Sequence, residues 1–149
     1  GPHAFNKLRA GSREIVSLMR MARSTAVLNE VEVILELDEE ENRYRLNLDN
    51  VARKRRLAER KAVERSEIAN WRDLPKNISF VSVVSLDDEK DRDGVTKILF
   101  YPDGSASGST IVLKNEADKK MTVTLNRATA LPEVIKGELE EPVESGASS

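Results

Sequence analysis

The sequence predicts an α+β fold: an N-terminal amphipathic helix packed on antiparallel β-sheet. Three observations carry this. Apolar residues recur at spacings of three, four and seven through residues 5 to 30. Short β-branched runs bounded by polar turns occupy most of the rest. Helix and strands are segregated along the chain, which argues against alternating β-α-β units.

Taken in order, Gly1-Pro2-His3 (residues 1–3) reads as an expression-tag remnant and is excluded from fold reasoning. Residues 4–30 form the helix. Phe5, Leu8, Ile15, Leu18, Met19, Ala22 and Ala26 make one apolar stripe, with Arg9, Arg13, Glu14, Arg20 and Arg23 mostly between them. Phe5, Leu8, Ile15, Met19 and Ala22 are the candidate partner-packing face; the competing reading, favoured for the second half, is that the stripe packs on the chain's own sheet. Gly11 weakens the helix by about 1 kcal/mol. The helical pattern opens at Ala4-Phe5 without an N-cap residue, and the expectation is that an upstream segment has been cut away.

Residues 31–135 read as a β-rich head. Val31 to Leu37 and Tyr44 to Leu48 form a hairpin whose tip, Asp38-Glu39-Glu40-Glu41-Asn42, is held in solvent by repulsion among its acids. An insertion at 51–70 follows. From 51 to 72 the chain carries eight basic residues against three acidic, a local +5, with thin apolar cover from Val51, Leu57, Ala58, Ala62 and Ala69. The expectation is a mobile, partly helical segment anchored by Trp71 and Leu74 and stopped at Pro75. Ile78 to Leu86 is a strand with Ile78, Phe80 and Val84 inward. Three further strands are expected at Val95 to Tyr101, Thr110 to Lys114 and Met121 to Leu125.

The stretch from Ile98 to Leu113 reads as a hairpin. Pro102 presets φ, Asp103 bonds its own backbone, Gly104 accepts a positive φ, and small residues through Gly108 let the chain lie flat. Hydrophobicity falls from Pro132, and residues 136–149 read as a flexible acidic tail.

Composition narrows the function classes. With 39% hydrophobic and 4% aromatic residues in 149, the core must be Val, Leu, Ile and Ala. A net charge of −2 argues for no global attraction to nucleic acid or lipid. Absence of cysteine removes disulfide and thiolate chemistry, and no run approaches the roughly 18 apolar residues of a membrane span. His3 is the single histidine, so nucleophile–base pairs and transition-metal sites lack their usual parts. Neither a Gly-x-Ser-x-Gly elbow nor a phosphate-binding Gly-rich loop occurs. No catalytic residue, metal or cofactor is expected.

Glu89-x-Asp91-x-Asp93-Gly94 imitates half of a calcium loop, but the position requiring a bidentate Glu is Phe100, and a solvated turn is the better reading. Arg53, Lys54, Arg55 and Arg56, with the more distant Arg127, are the candidate polyanion contact. Neighbouring acids and scarce aromatics favour a solvated loop or a docking surface for an acidic partner.

Several motifs occur in an order that resembles the GspH/FimT family of type II secretion minor pseudopilins. Leu18-Met19-Arg20-Met21-Ala22-Arg23-Ser24-x-Ala26 is similar to that family's helical "L-x-x-A-R-S-x-A". Val31-Glu32-Val33 follows, then Leu74-Pro75-x-x-Ile78 resembles "L-P-x-G-V", and Ile98 to Leu113 resembles its Pro-Asp-Gly-Ser hairpin. Together they cover most of residues 13 to 127.

The resemblance implies a pilin-like fold and a structural, non-enzymatic subunit of a periplasmic pseudopilus. It implies a very apolar upstream helix, processed and N-methylated, that anchors the protein by a single pass in the bacterial inner membrane. Implied partners are tip and major pseudopilins and the inner-membrane assembly platform, with the isolated head a monomer. Two departures stand out. Arg127-Ala128-Thr129-Ala130-Leu131 lacks the Gly-Arg pair of the family's closing Thr-Gly-Arg motif, and the 51–70 insertion is long and basic. Alternatives are a FimT-like minor type IV pilin that binds DNA and an unrelated soluble binding module.

Overall fold

Helix α1 (Asn6–Asn29) lies across two four-stranded antiparallel sheets and forms one hydrophobic core with both. The structure, a computed structural model, describes residues 5–87 and 94–139. Leu8, Ile15, Met19, Ala22 and Ala26 have no solvent exposure, as helical spacing requires of one buried stripe. Gly11 has a packing reason to be in mid-helix. A Cβ there would lie 3.3 Å from Pro75 Cδ, so glycine lets the Leu74-Pro75 segment close on the helix. The helix ends where Glu30 turns left-handed (φ 55°) and donates its N–H to the Ala26 carbonyl.

The first sheet has the order β3-β2-β1-β5, from β1 (Val33–Asp38), β2 (Arg43–Asn47), β3 (Arg72–Asp73) and β5 (Val95–Phe100). The expected β1–β2 hairpin is present, in register from Ile34 opposite Asn47 to Asp38 opposite Arg43. Val33, Leu35, Leu37, Tyr44, Leu46, Ile98 and Phe100 supply the inner face, all fully buried. The second sheet has the order β4-β6-β7-β8, from β4 (Ser79–Ser85), β6 (Ser109–Lys114), β7 (Lys120–Leu125) and β8 (Pro132–Lys136). Its inner face carries Phe80, Val83, Ile111, Leu113, Val123 and Leu125.

Four expectations are corrected. The strands flanking Pro102 do not form one long hairpin, because β5 and β6 belong to different sheets. The ladder after the turn is short: Tyr101 N–H donates to the Ser105 carbonyl at 2.9 Å, Phe100 bridges Ala106, and Ser107 N–H donates to the Leu99 carbonyl at 2.8 Å. The Gly108 carbonyl then accepts from Leu86 N–H, and β6 starts beside β4. Ala106, Ser107 and Ser109 are buried at this crossing, where larger side chains would hold the sheets apart.

In β4 the inward residue is Val83, not Val84, which is 40% exposed. A register shift between Phe80 and Ser82 inserts one residue and reverses the alternation beyond it. Lys136, expected to open the tail, instead closes a strand on β7 (Pro132–Lys136), with Pro132 at its first position as an edge strand permits.

The fourth correction concerns the insertion, which is folded as α2 (Asp49–Lys54), α3 (Leu57–Glu64) and a 3₁₀ turn at Glu67–Ala69. Val51, Ala52 and Val63 are buried in the common core, so three small apolar side chains suffice to dock it.

Candidate functional site

The helix face offered to partners is largely spent inside the molecule. Leu8, Ile15, Met19 and Ala22 are fully buried against the chain's own sheets, the reading favoured from the sequence for the second half of the stripe and extended by the structure to Leu8 and Ile15. Phe5 is half-buried, its ring approached by Lys136 Nζ at 4.6 Å and Arg9 Cζ at 5.8 Å. The side of α1 that reaches solvent includes Arg13, Ser17, Arg20, Met21, Ser24, Val27 and Leu28.

The Pro102-Asp103-Gly104 turn forms as read. Gly104 N–H donates to the Tyr101 carbonyl at 3.0 Å, and Gly104 has φ +88°. Asp103 Oδ1 accepts from Ser105 Oγ at 2.6 Å and Ser105 N at 2.9 Å, and these donors hold its carboxyl below the usual value.

Sequence reasoning missed the partner of this turn. Arg23 of α1 lies over it, with a guanidinium nitrogen 3.3 Å from where a Gly104 Cβ would sit, while its Nε donates to the Thr129 carbonyl at 3.1 Å. One arginine therefore ties the helix to both loops at this end of the head. The helical Ala-Arg-Ser and the Pro-Asp-Gly turn, some 80 residues apart in sequence, are in contact; their joint occurrence was the available signal.

Arg127 is likewise engaged. Its guanidinium pairs with Asp87, which also accepts from Tyr101 Oη at 3.2 Å. Desolvation, then the Asp87 charge, pushes the Tyr101 phenol up. The Arg127 carbonyl accepts from Ala106 N–H, so this residue bridges the sheet crossing and is not a free basic tip. The calcium-like motif at 89–93 lies outside the described residues. Among the described residues, no group of three or more His, Cys, Asp or Glu could hold a metal ion.

The basic run is positioned by the C-terminus of α1. Lys54 Nζ donates to the Glu30 carbonyl at 3.3 Å and lies 3.6 Å from its carboxylate; Arg55 donates to Asn29 Oδ1 at 3.2 Å. Cations at a helix C-terminus complement its partial negative charge. Arg53 donates to Asn50 Oδ1 at 2.9 Å, and Arg56 N–H is capped by Glu59. Two of the four run residues thus serve the helix end, while all four keep exposed surface.

Between α1 and the insertion lies a groove of about 400 Å³. One wall is Met21, Ser24, Thr25 and Leu28, at i, i+3, i+4 and i+7 of α1; the other includes Val51, Arg55, Val63 and Ile68. Leu28 is 81% exposed. On the outer face of the first sheet, Trp71 is clamped between Arg43 and Arg45, whose Cζ atoms lie 4.4 and 4.5 Å from its ring, and those arginines pair with Asp38 and Glu36. Leu74 is buried, so both expected anchors hold the insertion's return to the body.

Residues 11–129 match the sequence profile of the family described as type II transport protein GspH. No curated protein is detectably similar to the chain in sequence. Among solved structures, the minor pseudopilin EpsH from the type 2 secretion system of Vibrio cholerae has the same fold, with a TM-score of 0.61 over 89% of this chain and 100% of that one, at 11% identity.

Proposed function

This chain belongs to the GspH family of type II transport proteins, and on that footing we propose that it is a minor pseudopilin, a structural subunit of the pseudopilus that drives protein export. The observation that carries the reading is the family match across residues 11–129, which takes in most of the helix, the first sheet, three strands of the second and the Pro-Asp-Gly turn. The architecture suits an assembly part. A rigid helix is bonded along one side to its head and turns a polar face outward, and no described groups converge as a catalytic pair would. No helix among the described residues is long and apolar enough to cross a membrane. Anchorage would come from an upstream apolar helix in the inner membrane, with this head in the periplasm beside tip and major subunits.

Because Leu8, Ile15, Met19 and Ala22 are committed to the core, contacts made by the head use other surfaces. The DNA-binding alternative loses ground, since Arg127 and Lys54 are paired with Asp87 and Glu30. Deleting the gene and assaying export of type II substrates tests the proposal. Loss of export, restored by the wild-type gene, is expected; normal export without the protein would refute it. Light scattering of the isolated chain is expected to give a monomer.

A further inference from the structure

We propose that the groove between the C-terminal third of α1 and the helical insertion receives an acidic, amphipathic segment of a neighbouring subunit. The inference deepens the assembly role above and rests on it for the kind of partner. Three observations converge. The groove is open and about 400 Å³, the scale of a cleft that takes several side chains. Its α1 wall repeats at i, i+3, i+4 and i+7, ending in Leu28, a large apolar side chain left 81% exposed in the company of exposed Met21 and Val27. Surface leucines scattered singly are ordinary, but two exposed large apolar side chains on one helix face, Met21 and Leu28, both lining the same cleft, mark a contact surface.

Charge selects the occupant. From Arg53 to Arg65 there are seven basic residues and two acidic, a local +5, in a chain whose net charge is −2, so the remainder is −7. Arg55 stands in the groove wall itself, and Arg53, Arg56 and Lys61 are exposed on the helices that build it. A segment with apolar residues on one face and carboxylates on the other matches both parts; a basic segment is repelled.

The test uses the 149-residue chain and a fluorescein-labelled synthetic peptide with leucines at i, i+3, i+4 and i+7 and glutamates elsewhere, against the same peptide with lysines for glutamates. Anisotropy is expected to show saturable binding of the acidic peptide that weakens as salt rises, and none of the basic one. Leu28→Asp and Arg55→Glu, both at accessible positions, are each expected to raise Kd by about tenfold or more, with the unfolding midpoint retained. Equal binding of the two peptides, or variants that bind like wild type, would overturn the proposal. So would self-association in sedimentation velocity that both variants abolish, since the occupant would then be a second copy. The assembly role is scored separately by export in the deletion strain: a chain that restores export but ignores the acidic peptide refutes the groove alone.

Discussion

Gly104→Ala probes the contact on which the head's loop end depends. Two costs add. At φ +88° an alanine adopts a left-handed conformation at about 1–2 kcal/mol, reduced by somewhat under 1 kcal/mol because alanine also restricts the unfolded chain. The new Cβ would then sit 3.3 Å from the Arg23 guanidinium, which must swing aside and weaken its 3.1 Å bond to the Thr129 carbonyl, an exposed interaction worth about 0.5–1 kcal/mol. The total is roughly 0.7–2.2 kcal/mol, or about 2–8 °C in Tm for a chain of this size.

Gly137→Ala is the matched control. Its φ is +89° and a Cβ there meets nothing within 4 Å, so it carries the backbone cost alone. Differential scanning calorimetry of both variants, with Arg23→Ala and the Arg23→Ala/Gly104→Ala double variant, separates the contributions. If Gly104→Ala unfolds at the wild-type temperature the turn conformation is wrong. If it matches Gly137→Ala and the cycle is additive, the link between helix and turn carries no energy.

Met19→Ala is expected to cost about 2–5 kcal/mol in urea unfolding, because the side chain is fully buried; a loss under about 0.5 kcal/mol would return it to a partner-facing surface. Gly11→Leu should lower stability by about 1–3 kcal/mol through collision with the Pro75 ring, while Gly11→Ala stays near wild type as helix propensity offsets the tighter contact. Burial, then its 2.9 Å bond to Glu14, raises the Tyr44 phenol well above its usual value. The folded chain therefore keeps a proton that the unfolded chain releases, and stability falls as pH rises above about 10. Tyr44→Phe should flatten that alkaline slope in urea midpoints taken from pH 8 to 11, and parallel slopes would refute the assignment. Arg127→Ala should cost less than about 1 kcal/mol in the same assay, the pair with Asp87 being half-exposed on the arginine side.

Local rules carried a good part of the architecture. The spacing from Leu8 to Ala26 marks a helix with one buried stripe, the tip at Asp38 to Asn42 marks the first hairpin, and Pro102-Asp103-Gly104 marks a tight turn, since each depends on neighbours a few residues away. The family motifs named the assembly class before any geometry was known. What periodicity could not reach was every decision between distant segments. Phe100 and Ile111 are both inward-facing, and alternation reads the same whether their strands share a sheet or lie in two. Packing under α1 settled that, through the buried small residues at the crossing. Residues 132–136 are too polar to announce a strand and became one because β7 offered an unpaired edge. The insertion looked solvated because three buried apolar side chains leave little trace in a basic sequence, yet they suffice once α1 supplies the other wall. Sequence thus determined what depends on residue type and short spacing: helix, turns and family. Sheet membership, the Arg23–Gly104 and Gly11–Pro75 contacts and the basic groove depend on which surfaces meet, and only the tertiary structure decided them.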